Sequence, residues 1–113
     1  MKADELYREA LDDIKHGYYN KAVSALYFSL RFLAERFLLE ARAPIPRRDD
    51  KLANSLDSMG LGEAAFALRE MYVLRVKADY REESVTREEA EMALKGYVKA
   101  RQTIEAHRMK LKA

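Results

Sequence analysis

The sequence has no cysteine and only two histidines. Disulfide scaffolds, thiolate metal sites and thiol nucleophiles are thereby excluded, and a multi-histidine metal centre cannot be assembled. No cofactor is expected. Glycine and proline are scarce, four and two among 113 residues, which leaves few breakers and favours helix. A surplus of one charge sign is also missing. The 21 basic and 19 acidic residues give a formal charge of +2, far from the excess of a dedicated duplex-DNA binder. No apolar run reaches the roughly 18 residues of a membrane span, because Arg31 and Glu35 interrupt the one strongly apolar stretch. Met1-Lys2-Ala3-Asp4-Glu5 lacks the apolar core of a signal peptide. The expectation is a soluble cytoplasmic protein with no membrane partner.

What is present belongs to a folding chain. Hydrophobic residues make up 49% and charged residues 35%, too apolar for a disordered segment. The length suits one domain, 1–113, and a domain of this size buries roughly two-thirds of its unfolded surface. A single glutamine and two asparagines beside many Glu, Lys and Arg match the composition of heat-tolerant proteins.

Helical periodicity runs through almost the whole chain and strand alternation through none of it. A first helix is predicted from Asp4 to His16, with Leu6, Ala10, Leu11 and Ile14 inward and Gly17 as its left-handed stop. A second helix, Asn20 to Arg42, carries two apolar stripes. One is Leu26, Leu30, Leu33 and Phe37; the other is Ala25, Phe28, Phe32 and Leu39. Such a helix must be covered on two sides, either at the centre of a bundle or by another subunit. Pro44 and Pro46 end it. Asp49 or Asp50 then caps a short third helix bearing Leu52, Leu56 and Met59. Gly60 and Gly62 break the chain before a fourth helix, Glu63 to Glu82, with the stripe Ala64, Leu68, Met71, Tyr72, Arg75 and Ala78. The fifth opens on a capping box of Thr86 and Glu89, with Ala90, Ala93, Leu94, Tyr97, Ala100, Ile104 and Leu111 inward. The predicted fold is all-α: an antiparallel up-and-down bundle of four long helices plus one short.

One residue breaks the apolar pattern. Arg75 follows Leu68 by seven and Met71 by four, so it lies on the inward stripe. An unpaired guanidinium there would cost several kcal/mol, so it requires a carboxylate, an anion or a water-filled cleft. Asp79, one turn on, offers the first. Tyr80 follows, with Lys77 and Arg81 on the outer side. Arg75, Lys77, Asp79, Tyr80 and Arg81 together form a candidate phosphate-binding set. The competing reading is an Arg75–Asp79 pair that ties the fourth helix to a neighbour. His16 reads as a helix-end cap and His107 as a partly buried or terminal side chain. From Lys95 onward six cations face Glu105 alone, a basic run that suits phosphates or a solvated helix end. Phosphate loops, nucleophile elbows and paired catalytic carboxylates are absent from the sequence.

Read in order, several pieces resemble the HEPN domain. They are Gly17-Tyr18-Tyr19, Ala22-Val23-Ser24-Ala25-Leu26-Tyr27-Phe28, Leu74-Arg75 with Ala78-Asp79-Tyr80, and Val85-Thr86-Arg87-Glu88-Glu89-Ala90. They span nearly the whole chain and look closest to small stand-alone prokaryotic HEPN proteins. The resemblance implies a bundle of four or five helices, a two-fold homodimer, and nucleotide or RNA binding. It also implies a minimal nucleotidyltransferase as partner in a toxin–antitoxin-like module. Toxic members are metal-independent ribonucleases whose motif is an arginine followed, after four to six residues, by a histidine. Arg75 matches the arginine, but Tyr80, Arg81 and Glu82 stand where the histidine would fall. RNA cleavage needs proton exchange near neutral pH, whereas tyrosine ordinarily titrates near pH 10. In some relatives a tyrosine beside the motif is nucleotidylated, which makes Tyr80 the matching acceptor.

The leading expectation is therefore a non-enzymatic homodimer that holds a nucleotide or RNA phosphate through Arg75 and pairs through Phe28, Phe32 and Leu39. The alternatives are a ribonuclease toxin using Arg75 with Asp79 or Tyr80, and a structural adaptor in which Arg75 is a tie.

Overall fold

Five helices form: α1 (Lys2–Lys15), α2 (Tyr19–Glu40), α3 (Asp49–Ser58), α4 (Gly62–Tyr80) and α5 (Arg87–Lys112). The computed structural model describes residues 1–112, and among the described residues there is no strand. The chain is thus all-helical, with the four long helices and one short one that the periodicity predicts. No helix is long and apolar enough to cross a membrane. At about 1.5 Å per residue, α5 alone nearly matches the 42 Å long axis of the molecule.

Local chemistry sets the helix ends. Gly17, at φ 79°, follows α1 and lets Tyr18 N–H reach the Asp13 carbonyl (2.8 Å) and Gly17 N–H the Ile14 carbonyl (3.1 Å). These two bonds satisfy carbonyls left over at the helix end. Gly60 does the same for α3, where Leu61 N–H meets the Leu56 carbonyl at 2.9 Å. The end of α2 uses the same geometry without a glycine. Arg42 takes φ 59°, and Ala43 N–H bonds the Leu38 carbonyl at 2.9 Å. α2 therefore stops at Glu40, before the predicted Arg42. The predicted capping box on α5 is present: Glu89 N–H donates to Thr86 Oγ1 (3.1 Å) and Thr86 N–H to Glu89 Oε1 (2.9 Å).

The cap predicted for α3 is not what forms. Arg48 occupies the capping position and makes no side-chain capping bond, and Asp49 and Asp50 lie in the first turn. Asp50 pairs with Arg48 (2.9 Å), while Asp49 is drawn across to α2.

α2 is the central element, packed on α1, α4 and α5. Leu26, Leu30, Leu33 and Phe37 are buried, and one core cluster runs from Ala3 to Ile104. Each such leucine contributes about 1.5–3 kcal/mol. The second stripe of α2 is only partly covered: Ala25 is buried, Phe28 half-buried, and Phe32 and Leu39 exposed. Four other inward assignments also differ. Leu11, Met59, Tyr72 and Leu111 are exposed, Leu111 because the last three described residues of α5 all stand in solvent.

Ser29 is the one buried polar side chain among the described residues. Its hydroxyl donates to the Ala3 carbonyl (2.6 Å), Tyr97 O–H donates to Ser29 (2.6 Å), and Arg101 donates to Tyr97 (3.0 Å). Arg101 also pairs with Asp4, whose carboxyl it holds below the usual range by hydrogen bonding. This chain stitches α1, α2 and α5 together.

Candidate functional site

Arg75 points into the seam between α2 and α4. Its side chain is 21% exposed, and its guanidinium carbon lies 4.9 Å from the Phe28 ring centre and 5.5 Å from that of Tyr27. A cation over two aromatic faces is attracted by their quadrupoles, by about 0.5–2 kcal/mol. Asp79 Oδ2 stands 3.5 Å from Arg75 Nε, and Ser24 on α2 donates to Asp79 Oδ1 at 3.1 Å. Even so, Nε is buried without a hydrogen-bond partner among the described residues. The fork is held in place, yet its donors are left free.

Beside it lies a second charged group that the sequence did not suggest. Asp49 on α3 accepts from Tyr27 O–H and, at 2.5 Å, from Arg31 Nη1. Arg31 also donates to the Arg47 carbonyl at 2.9 Å. Burial pushes the Asp49 carboxyl above its ordinary value, and the positive charge of Arg75 pulls the other way. Tyr72 of α4 tilts against Tyr27 with ring centres 6.0 Å apart. The seam thus holds two guanidinium groups, two carboxylates and three aromatic rings. Ser24, Tyr27, Phe28 and Arg31 fall at i, i+3, i+4 and i+7 on α2. That polar and aromatic face, written at helical spacing, was the signal that could have located the site's other wall.

The predicted set separates on inspection. Arg75 and Asp79 are together in the seam. Lys77 faces α5 instead, where Nζ lies 2.9 Å from Glu89 Oε1, so it braces the capping box. Tyr80 is 73% exposed and Arg81 is also exposed. Phe28 belongs to the Arg75 contact, which leaves Phe32 and Leu39, 66% exposed, as the uncovered part of the α2 stripe. His16 Nδ1 donates to the Asp12 carbonyl (2.8 Å) and His107 Nδ1 to that of Thr103 (3.0 Å), so each serves its own helix. The basic run is partly spent inside the chain, with Arg108 bonded to Glu40.

Chemically, the seam can grip an oxyanion. It offers a planar fork with free donors, aromatic faces that fix its plane, and a carboxylate to balance it when empty. No family model matches the sequence, and no curated protein matches it significantly.

Proposed function

We propose that this chain is a cytoplasmic HEPN-like antiparallel bundle that binds a nucleotide or RNA phosphate through Arg75. In this reading it acts as a homodimer within a toxin–antitoxin-like module, with a minimal nucleotidyltransferase as partner. The observation that carries the reading is the Arg75 guanidinium, fixed over Phe28 and Tyr27 with Nε buried and unbonded. Arg36 also has a buried, unbonded Nε, but it ties α2 to α5 by donating Nη2 to Glu105, whereas no donor of Arg75 reaches a neighbouring helix among the described residues. Contacts of Glu63 with Thr103 and of Lys77 with Glu89 support an antiparallel course for α4 and α5. A bound phosphate would take the donors of Arg75 and compete with Asp79 for them.

The test is fluorescence anisotropy with a labelled single-stranded RNA and with a labelled ATP analogue. Arg75→Ala is expected to weaken binding at least tenfold with its helical circular dichroism retained. Arg75→Lys, which keeps the charge and loses the fork, should fall between the two. Equal binding by the wild-type chain and Arg75→Ala refutes the proposal.

A second reading has its own observation. Ser24 bonds Asp79, and Asp79 faces Arg75, so the trio links α2 to α4. If the trio is only a tie, Arg75→Ala lowers the melting temperature and leaves ligand affinity unchanged. The ribonuclease alternative has less support, because the tyrosine that would replace the histidine stands out in solvent. It requires that expression slows growth and that Arg75→Ala relieves it.

A further inference from the structure

On the face away from the Arg75 seam, α4 and α5 enclose an open groove of about 720 Å³. Three large apolar side chains stand along it in solvent: Phe66 at 63% exposure, Val73 at 65% and Met92 at 72%. Its two walls differ in charge. Glu63 and Glu70 line the α4 side, and Lys95 and Lys99 the α5 side, where Glu89 at one end is already paired with Lys77. Glu70, Lys95 and Lys99 form no ion pair within 4.0 Å among the described residues. The groove floor contains Gly96, in the interior of α5. Glycine weakens a helix relative to alanine, and a Cβ added here would meet nothing within 4 Å. The fold therefore has no use for this glycine, whereas an occupant of the groove would.

From these features we infer that the α4–α5 groove receives an amphipathic helix from a partner protein. The partner's apolar stripe packs on Phe66, Val73 and Met92, and one bulky side chain sits in the space above Gly96. Its acidic flank lies along Lys95 and Lys99 and its basic flank along Glu63 and Glu70. Helix-in-groove docking lays apolar anchors at i, i+3, i+4 and i+7 of the incoming helix into a groove of this kind. The Glu63–Thr103 and Lys77–Glu89 contacts mark the two ends of the groove. The 14 helical steps from Glu63 to Lys77 span roughly 21 Å, which is about four turns of the incoming helix. A second copy using the same face fits less well, because two concave surfaces laid together leave a void between them. The inference does not depend on a phosphate at Arg75.

The test uses the whole chain and three labelled 16-residue helical peptides that share one leucine stripe. One has a glutamate flank and a lysine flank, one has glutamate on both, and one has lysine on both. The mixed peptide is expected to bind at least tenfold more tightly than either uniform one. Lys95→Glu with Lys99→Glu should transfer the preference to the all-lysine peptide. Gly96→Leu should weaken the mixed peptide at least tenfold, and Gly96→Ala should raise the melting temperature. Equal affinity for all three peptides, no binding, or binding indifferent to Gly96→Leu overturns the inference. So does a concentration-dependent dimer abolished by Gly96→Leu, which would assign the groove to a second copy.

Discussion

The guanidinium carbon of Arg75 stands 4.9 Å from the ring centre of Phe28, so two residues that the sequence places on separate surfaces share one contact. Phe28 is the floor on which the arginine lies, and Arg75 is the cover that the second stripe of α2 requires. Truncating either should therefore weaken the other. Phe28→Ala is expected to cost about 2 kcal/mol, less than a fully buried phenylalanine. A double-mutant cycle with Arg75→Ala in urea should give a coupling of about 0.5–1.5 kcal/mol. Strict additivity would show that the contact contributes nothing.

The Ser29 relay should be expensive to interrupt. Ser29→Ala leaves the Ala3 carbonyl and the Tyr97 hydroxyl short of a partner in the core. The expected loss is about 1–3 kcal/mol by denaturant midpoint, well above that of an exposed serine such as Ser58. Tyr97→Phe removes the donor to Ser29 and the acceptor of Arg101, and should cost a similar amount.

Acid should loosen the start of α5. The Glu89 carboxyl is held below its ordinary value by the Thr86 backbone N–H and by Lys77. A depressed carboxylate stabilises the fold fully above its unfolded value, about 4.3, and that contribution is lost as pH falls through the folded value. Wild type should therefore exceed Glu89→Gln in stability at pH 7, and the gap should close below about pH 4. A gap constant from pH 7 to pH 3 would contradict the assignment.

The left-handed helix ends make predictions of opposite sign. Gly17→Ala and Gly60→Ala force a Cβ into positive φ and should each cost about 1 kcal/mol. Arg42 already bears that strain, so Arg42→Gly should be neutral or stabilising by up to about 1 kcal/mol. Thermal melts of the three variants check the signs together.

Much of the fold was legible because its signals are local. Thr86 and Glu89 sit three residues apart, Gly17 follows a completed helical stripe, and Arg75 lies one turn from Met71 and two from Leu68. The Asp49 contacts were not legible. Tyr27 and Arg31 meet a residue on another helix across a loop, and no sequence period announces a pairing made through space. Leu11 and Leu111 misled for a related reason: periodicity assigns a face, but not how far the neighbouring helices extend to cover it. Lys77 was read as an outer cation because its acceptor, Glu89, already had a local role in the capping box.

The relay through Ser29 also bears on synthesis. Asp4 leaves the ribosome long before its partner Arg101, and Ser29 long before Tyr97. α1 can therefore settle on α2 as soon as both are made, while the bonds that tie α5 to this pair close only after most of α5 has been released.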